Sequence, residues 1–248
     1  MIPPMNPIAL AAEGYEKTGA RDRRAPVEAV YSGGMPTRSP GIMSFLFISM
    51  GLYFLLPVLF FRKHDPLTQM MSGAITGGFI LAYLAYRRST EDWSWADFGF
   101  IRPSLGDAGV GLLAGVASIA SNIVCRQAHL MPSAAEFNRL PSEIASKPLL
   151  AAVCLGLIGL AFAEECIFRG YLIPALETRY GMKTTVLLSS ALFGLFHLQF
   201  AVPTFVVGII FSAAFLRRRS LWASLIAHFT HNTAATLVGY FLLARAVR

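Results

Sequence analysis

The sequence predicts an all-α, polytopic membrane protein of about seven transmembrane helices (six to eight), with a polar cluster held inside the membrane. Three observations predict it. Of 248 residues, 55% are hydrophobic and only 14% are charged, with a mean hydropathy of +0.55; a soluble globular domain carries about 25% charged residues. The charges gather between long apolar runs instead of spreading over a surface. Most of these runs are long enough to span a bilayer, which takes roughly 20 helical residues.

The elements follow in order. Residues 1–40 are rich in Pro, Gly, Ala and charge and have no sustained apolar period, which predicts a mobile polar tail. Its one short apolar piece, PIALAA, does not read as a secretory leader. The run GIMSFLFISMGLYFLLPVLFF forms a first span, closed by RKHDP, and LTQMMSGAITGGFILAYLAY a second, ended by Arg87 and Arg88. STEDWSWADFGFIRPS is an interfacial loop whose Trp93 and Trp95 suit the headgroup layer. A Gly-rich, weaker third span runs from about Asp107 to Cys125, and the polar stretch Arg126 to Lys147 could cap a cavity from one side.

Residues 41–147 therefore form an N-terminal block of helices and loops, and 148–248 a second block that carries the chemistry. There, an apolar run from Pro148 to Tyr180 is interrupted by Glu164, Glu165 and Arg169. GMK makes a turn, TTVLLSSALFGLFHLQF runs back, AVPTFVVGIIFSAAFL follows with a kink expected at Pro203, and LWASLIAHFTHNTAATLVGYFLLA is the last span.

The net charge of +7 sits in short loops, which suits anchoring beside anionic lipid and not nucleic-acid binding. Cys125, Cys154 and Cys166 form no CxxC pair and their number is odd, so neither a disulfide framework nor a zinc ribbon is indicated.

A charged side chain at the centre of an inserted helix costs about 2.5–3.5 kcal/mol even on the lenient insertion scale, so three on one helix need partners. Glu165 and Arg169 are i and i+4 on one face and can pair as a structural clip. Glu164 is rotated by about 100° from Glu165 and needs another neighbour. Histidines in the following spans are the candidates: FGLFH sets Phe193 and His197 one turn apart, and HFTHN does the same for His228 and Asn232. Glu164 lies 17 residues before Gly181 and His197 lies 16 after it, so an antiparallel hairpin brings them level. His228, 11 residues past Arg217 on an antiparallel helix, falls near the same depth. One intramembrane cluster of Glu164, His197, His228 and Asn232 is expected, with Phe193 packing beside His197 and His231 a hydrogen-bonded packing residue.

EECIFR, FGLFH and HFTHN match, in order, the patterns EExxxR, FxxxH and HxxxN, and WADFGF looks like a W-x-D-x-G element ahead of them. Over roughly residues 148–243 the chain thereby resembles the CPBP family of intramembrane proteases, the CAAX-processing and bacteriocin-processing group also called Abi proteins. The resemblance implies an endopeptidase cutting in or at the edge of the membrane, with 148–248 as its catalytic core. It implies that Glu164 and His197 activate a water and that His228 and Asn232 stabilise the oxyanion, with Glu165, Arg169 and Phe193 supporting. The family is often filed with metalloproteases, and Glu164, His197 and His228 would be the zinc ligands if a metal bound; the absence of HExxH favours a metal-independent glutamate mechanism.

The partners implied are the lipid bilayer and a peptide or a lipidated, membrane-anchored protein, with no nucleic acid. The location is a multi-pass integral membrane protein, taken as in the plasma membrane of a prokaryote. Two other classes compete. A non-catalytic immunity or partner-binding protein of the Abi type predicts that Glu164→Ala leaves function intact. A proton-coupled transporter predicts internal repeats, and none is seen. Lys and Arg concentrate in the loops on the side of the N-terminal tail, which favours a cytoplasmic N-terminus and puts the cluster nearer the outer side.

Overall fold

The computed structural model describes residues 66–90, 95–131, 158–197 and 200–246, with isolated helical positions at 44, 48 and 51. All of them belong to one compact unit, Pro36–Arg248. The expected tail, most of the first span and the polar loop beyond residue 131 lie outside the described residues. What is described is helical, with no strand among the described residues: α1 (Pro66–Thr90), a 3-10 turn (Trp95–Phe98), α2 (Leu105–Gln127), a helical stretch over 158–165 leading into a π-helical segment (Cys166–Leu172), α3 (Ile173–Phe196), α4 (Ala201–Arg218) and α5 (Leu221–Ala246). Among these, α2 and α4 are long and apolar enough to cross a membrane. The expected total of about seven helices reaches into segments outside the described residues.

The expected weak third span is thus a full helix, and it starts on a well-made cap. Ser104 accepts the Asp107 N–H through its hydroxyl, and the Asp107 carboxylate accepts the Ser104 N–H at 2.8 Å. Arg218, at the end of α4, donates to the same carboxylate at 3.1 Å, tying the two helix ends together. Along α2, Gly111, Gly115 and Ser118 form a buried stripe of small residues, while Leu112, Leu113 and Val116 on the other face are exposed. The stripe lets α5 approach closely. A Cβ added to Gly111 would lie 2.7 Å from Ile226 Cβ, and one on Gly115 would lie 2.5 Å from Thr230 Cβ. Small residues inside and large apolar ones outside is the arrangement lipid favours, because helix contact there rests on close packing.

The turn expected at GMK is found inside α3 as a sharp break at Gly181, with φ 73° and ψ 164°, a conformation open essentially only to glycine. The kink expected at Pro203 is not found, and α4 runs unbroken from Ala201 to Arg218. Pro203 sits in the first turn, where a missing N–H removes no helical bond. The WADFGF element, expected as part of an interfacial loop, also seats a helix. Its 3-10 turn ends at Gly99 (φ 84°), whose carbonyl accepts the Leu221 N–H at 2.8 Å and so seats the start of α5. A core of Phe168, Tyr171, Ile173, Phe193, Phe211, Phe215, Leu221 and Leu225 joins the π-helical segment to α3, α4 and α5.

Candidate active site

Glu164 and Glu165 end the helical stretch over 158–165, and the π-helical segment begins with the next residue. A π turn inserts one residue into the helical register and is often found at functional sites. Arg169 within it is fully buried and donates through Nη1 to Glu165 Oε1 at 2.8 Å, so the expected i,i+4 pair is present. Arg169 also donates through Nη2 to the Gly208 carbonyl of α4 at 3.1 Å. Its guanidinium lies 4.6 Å from the centre of the Phe193 ring and 5.5 Å from that of Phe211. An ion pair, a backbone acceptor and aromatic faces together make a charge tolerable in an apolar interior.

His197 follows the last turn of α3. Its Nδ1 lies 2.7 Å from the Phe193 carbonyl, which can only accept, so Nδ1 carries the proton. Nε2 then faces Glu164 Oε1 at 4.0 Å. His228, from α5, sits between the two glutamates. Its Nδ1 donates to Glu165 Oε1 at 2.9 Å, and its Nε2 lies 3.6 Å from Glu164 Oε2. Phe193 packs beside both imidazoles, with ring centres 4.6 Å from His197 and 6.0 Å from His228.

The structure therefore brings Glu164, His197 and His228 together and places Phe193 among them. Asn232 lies one turn along α5 from His228, and its amide forms no hydrogen bond among the described residues. Glu165 differs from its expected role as a simple clip for Arg169, because the same oxygen also receives the His228 Nδ1–H. His231 bonds to α2 through Ser118 and Asn122, away from Glu164. Gly208 and Phe211 were not singled out by the sequence. The only signal for them is a glycine in an otherwise unbroken apolar span.

Among the described residues, no group of three or more His, Cys, Asp or Glu is placed to hold a metal ion. No step below is routed through a metal.

What the geometry can do chemically is clear from the donors and acceptors. A buried carboxylate faces two ring nitrogens, one on a neutral imidazole and one on an imidazole anchored by a second carboxylate. That is an arrangement for moving protons at one point.

Residues 145–234 match the family model described as Rce1-like, type II CAAX prenyl endopeptidase. No curated protein and no solved structure matches the chain. The matched segment contains Glu164, Glu165, Arg169, Phe193, His197, His228 and Asn232, whereas α1 and α2 lie outside it. The similarity of residues 145–234 is thus to a membrane-integral protease family, in keeping with the CPBP family that the motifs resemble.

Proposed function

We propose that this protein is a multi-pass intramembrane endopeptidase that hydrolyses a peptide bond with a water activated by Glu164 and His197. The observation that carries the reading is the position of the Glu164 carboxylate, buried and faced by Nε2 of both His197 and His228 at 4.0 Å and 3.6 Å. Those separations exceed a direct hydrogen bond and fit a water held between carboxylate and imidazole.

The chemistry then runs on this chain's own groups. The water donates one hydrogen bond to Glu164 and one to the lone pair on His197 Nε2. Its oxygen adds to the scissile carbonyl carbon as one proton passes to Glu164. The oxyanion accepts from His228 Nε2–H and from the Asn232 amide. Because His228 Nδ1 is already committed to Glu165, donation from Nε2 requires a doubly protonated ring. Glu165 and Arg169 make that reasonable: with Glu164 ionised, two carboxylates, one guanidinium and one imidazolium sum to zero charge. Glu164 finally returns its proton to the departing amine, and the second water proton leaves with the new carboxyl group.

The substrate proposed is a peptide or a lipidated, membrane-anchored protein, and the membrane the plasma membrane of a prokaryote. The test is cleavage of a quenched peptide library, together with prenylated and unprenylated peptides, by purified protein in detergent. Wild type is compared with Glu164→Ala and His197→Ala, with and without chelator. Loss of cleavage in both folded variants, with wild type unaffected by chelator, is the expected result. Cleavage that survives Glu164→Ala removes the assigned base. Absence of any cleavage, with biological function retained by Glu164→Ala, would favour the non-catalytic immunity role instead.

A further inference from the structure

The second histidine of HFTHN is not needed by the mechanism above, yet it is as firmly held as the first. His231 Nδ1 lies 2.8 Å from Ser118 Oγ, and Nε2 lies 3.2 Å from Asn122 Nδ2. The Ser118 hydroxyl hydrogen is committed to the Gly115 carbonyl at 2.7 Å, so towards His231 this oxygen accepts. Nδ1 therefore carries the ring proton, and Nε2 accepts from the Asn122 amide. His231 is a neutral imidazole with both nitrogens engaged by α2. It is available neither as a base nor as a ligand.

Its position gives the clamp a purpose. His231 is one turn from His228 on α5, and Phe211 of α4 spans the two, with its ring centre 6.1 Å from the His231 ring and 5.0 Å from the His228 ring. Ser118 and Asn122 are one turn apart on α2, on the face where Gly115 lets Thr230 and the Ala227 carbonyl approach. Close packing alone fixes the distance between α2 and α5. It does not fix rotation of α5 about its own axis. Two hydrogen bonds of opposite sense from one ring to two successive turns do fix that rotation, and a rotation of α5 swings His228 Nδ1 away from Glu165.

We propose that His231, held by Ser118 and Asn122, is a positioning residue that sets the orientation of His228 against Glu165, and that α2 thereby belongs to the working site although it lies outside the family-matched segment. This rests on the protease reading for its kinetic readout, and on a second readout that does not.

The experiment uses the full chain in detergent. His231→Leu removes both bonds, His231→Gln supplies one donor and one acceptor, and Ser118→Ala removes one bond with little change in volume. Peptide cleavage gives kcat and KM, and 15N spectra of histidine-labelled protein, with the His228 signals identified by their loss in His228→Ala, report the Nδ1 hydrogen bond. His231→Leu is expected to lower kcat about 10–100-fold with KM within about twofold, and to shift the His228 Nδ1 signal. Ser118→Ala should move both readouts in the same direction by less, and His231→Gln should restore them. His231→Leu with wild-type kcat and an unmoved His228 signal overturns the proposal, as does a His231→Gln no better than His231→Leu. Should His231→Leu not fold, Ser118→Ala and His231→Gln decide alone. Cleavage that persists in Glu164→Ala sinks the protease reading separately, and the His228 spectra still judge the clamp.

Discussion

Glu165 serves two partners, and the two services can be separated by experiment. Its Oε1 receives Arg169 Nη1 at 2.8 Å and His228 Nδ1 at 2.9 Å, with Glu165 and Arg169 both fully buried. Glu165→Leu leaves the guanidinium, among the described residues, with the Gly208 carbonyl, aromatic faces and the more distant Glu164 carboxylate. Breaking a buried pair in this way costs about 3–5 kcal/mol. Arg169→Met leaves the carboxylate with His228 and Ser224 as partners, so its loss should be smaller. The double variant removes both charges at once. Replacing a buried ion pair by apolar groups of similar volume is often neutral or stabilising, so the double variant should regain most of the stability lost by Glu165→Leu. Activity should not follow. In the double variant His228 still lacks the acceptor that orients its ring and stabilises its positive charge, a defect worth about 10⁴-fold in kcat where a carboxylate serves a catalytic histidine in the same way. The assay is thermal unfolding in detergent alongside peptide cleavage for wild type, both singles and the double. A double variant that regains activity together with stability would refute the reasoning, since Glu165 would then serve Arg169 alone.

Asn232→Ala is expected to lower kcat by about 10²–10³ with little change in unfolding temperature, because it removes one oxyanion donor and no hydrogen bond of its amide among the described residues; kcat near wild type would remove Asn232 from the site. Gly115→Leu should lower the unfolding temperature and activity together, since even its Cβ would stand 2.5 Å from Thr230 Cβ. Val116→Leu, on the exposed face of the same helix, should change neither, and the pair of unfolding curves checks the assignment of faces.

Residue spacing carried the sequence reading a long way, because helices convert spacing into geometry with little freedom. EECIFR placed Arg169 one turn from Glu165, and they pair at 2.8 Å. Counting from Gly181 put Glu164 and His197 at one depth, and they lie 4.0 Å apart. What spacing cannot supply is rotation of one helix relative to another. Glu164 was expected to take the histidines and Glu165 the arginine, because adjacent residues point about 100° apart. The structure instead sets the His228 ring between them, one nitrogen towards each carboxylate. That depends on how α5 is turned, which the motif spacing does not fix.

The rotation of α5 is decided partly outside the motifs. Gly99 seats its first residue, Gly111 and Gly115 set its distance from α2, and Ser118 and Asn122 hold His231. Each of these belongs to a residue type that reads as ordinary membrane packing, and each lies before residue 145, where the family match begins. A carboxylate and two imidazoles can be recognised from three short motifs. Whether they meet at hydrogen-bonding angles depends also on small residues of a neighbouring helix, because in a close-packed bundle a methyl group at Gly115 would press on Thr230 and on the Ala227 carbonyl, next to His228 in the chain.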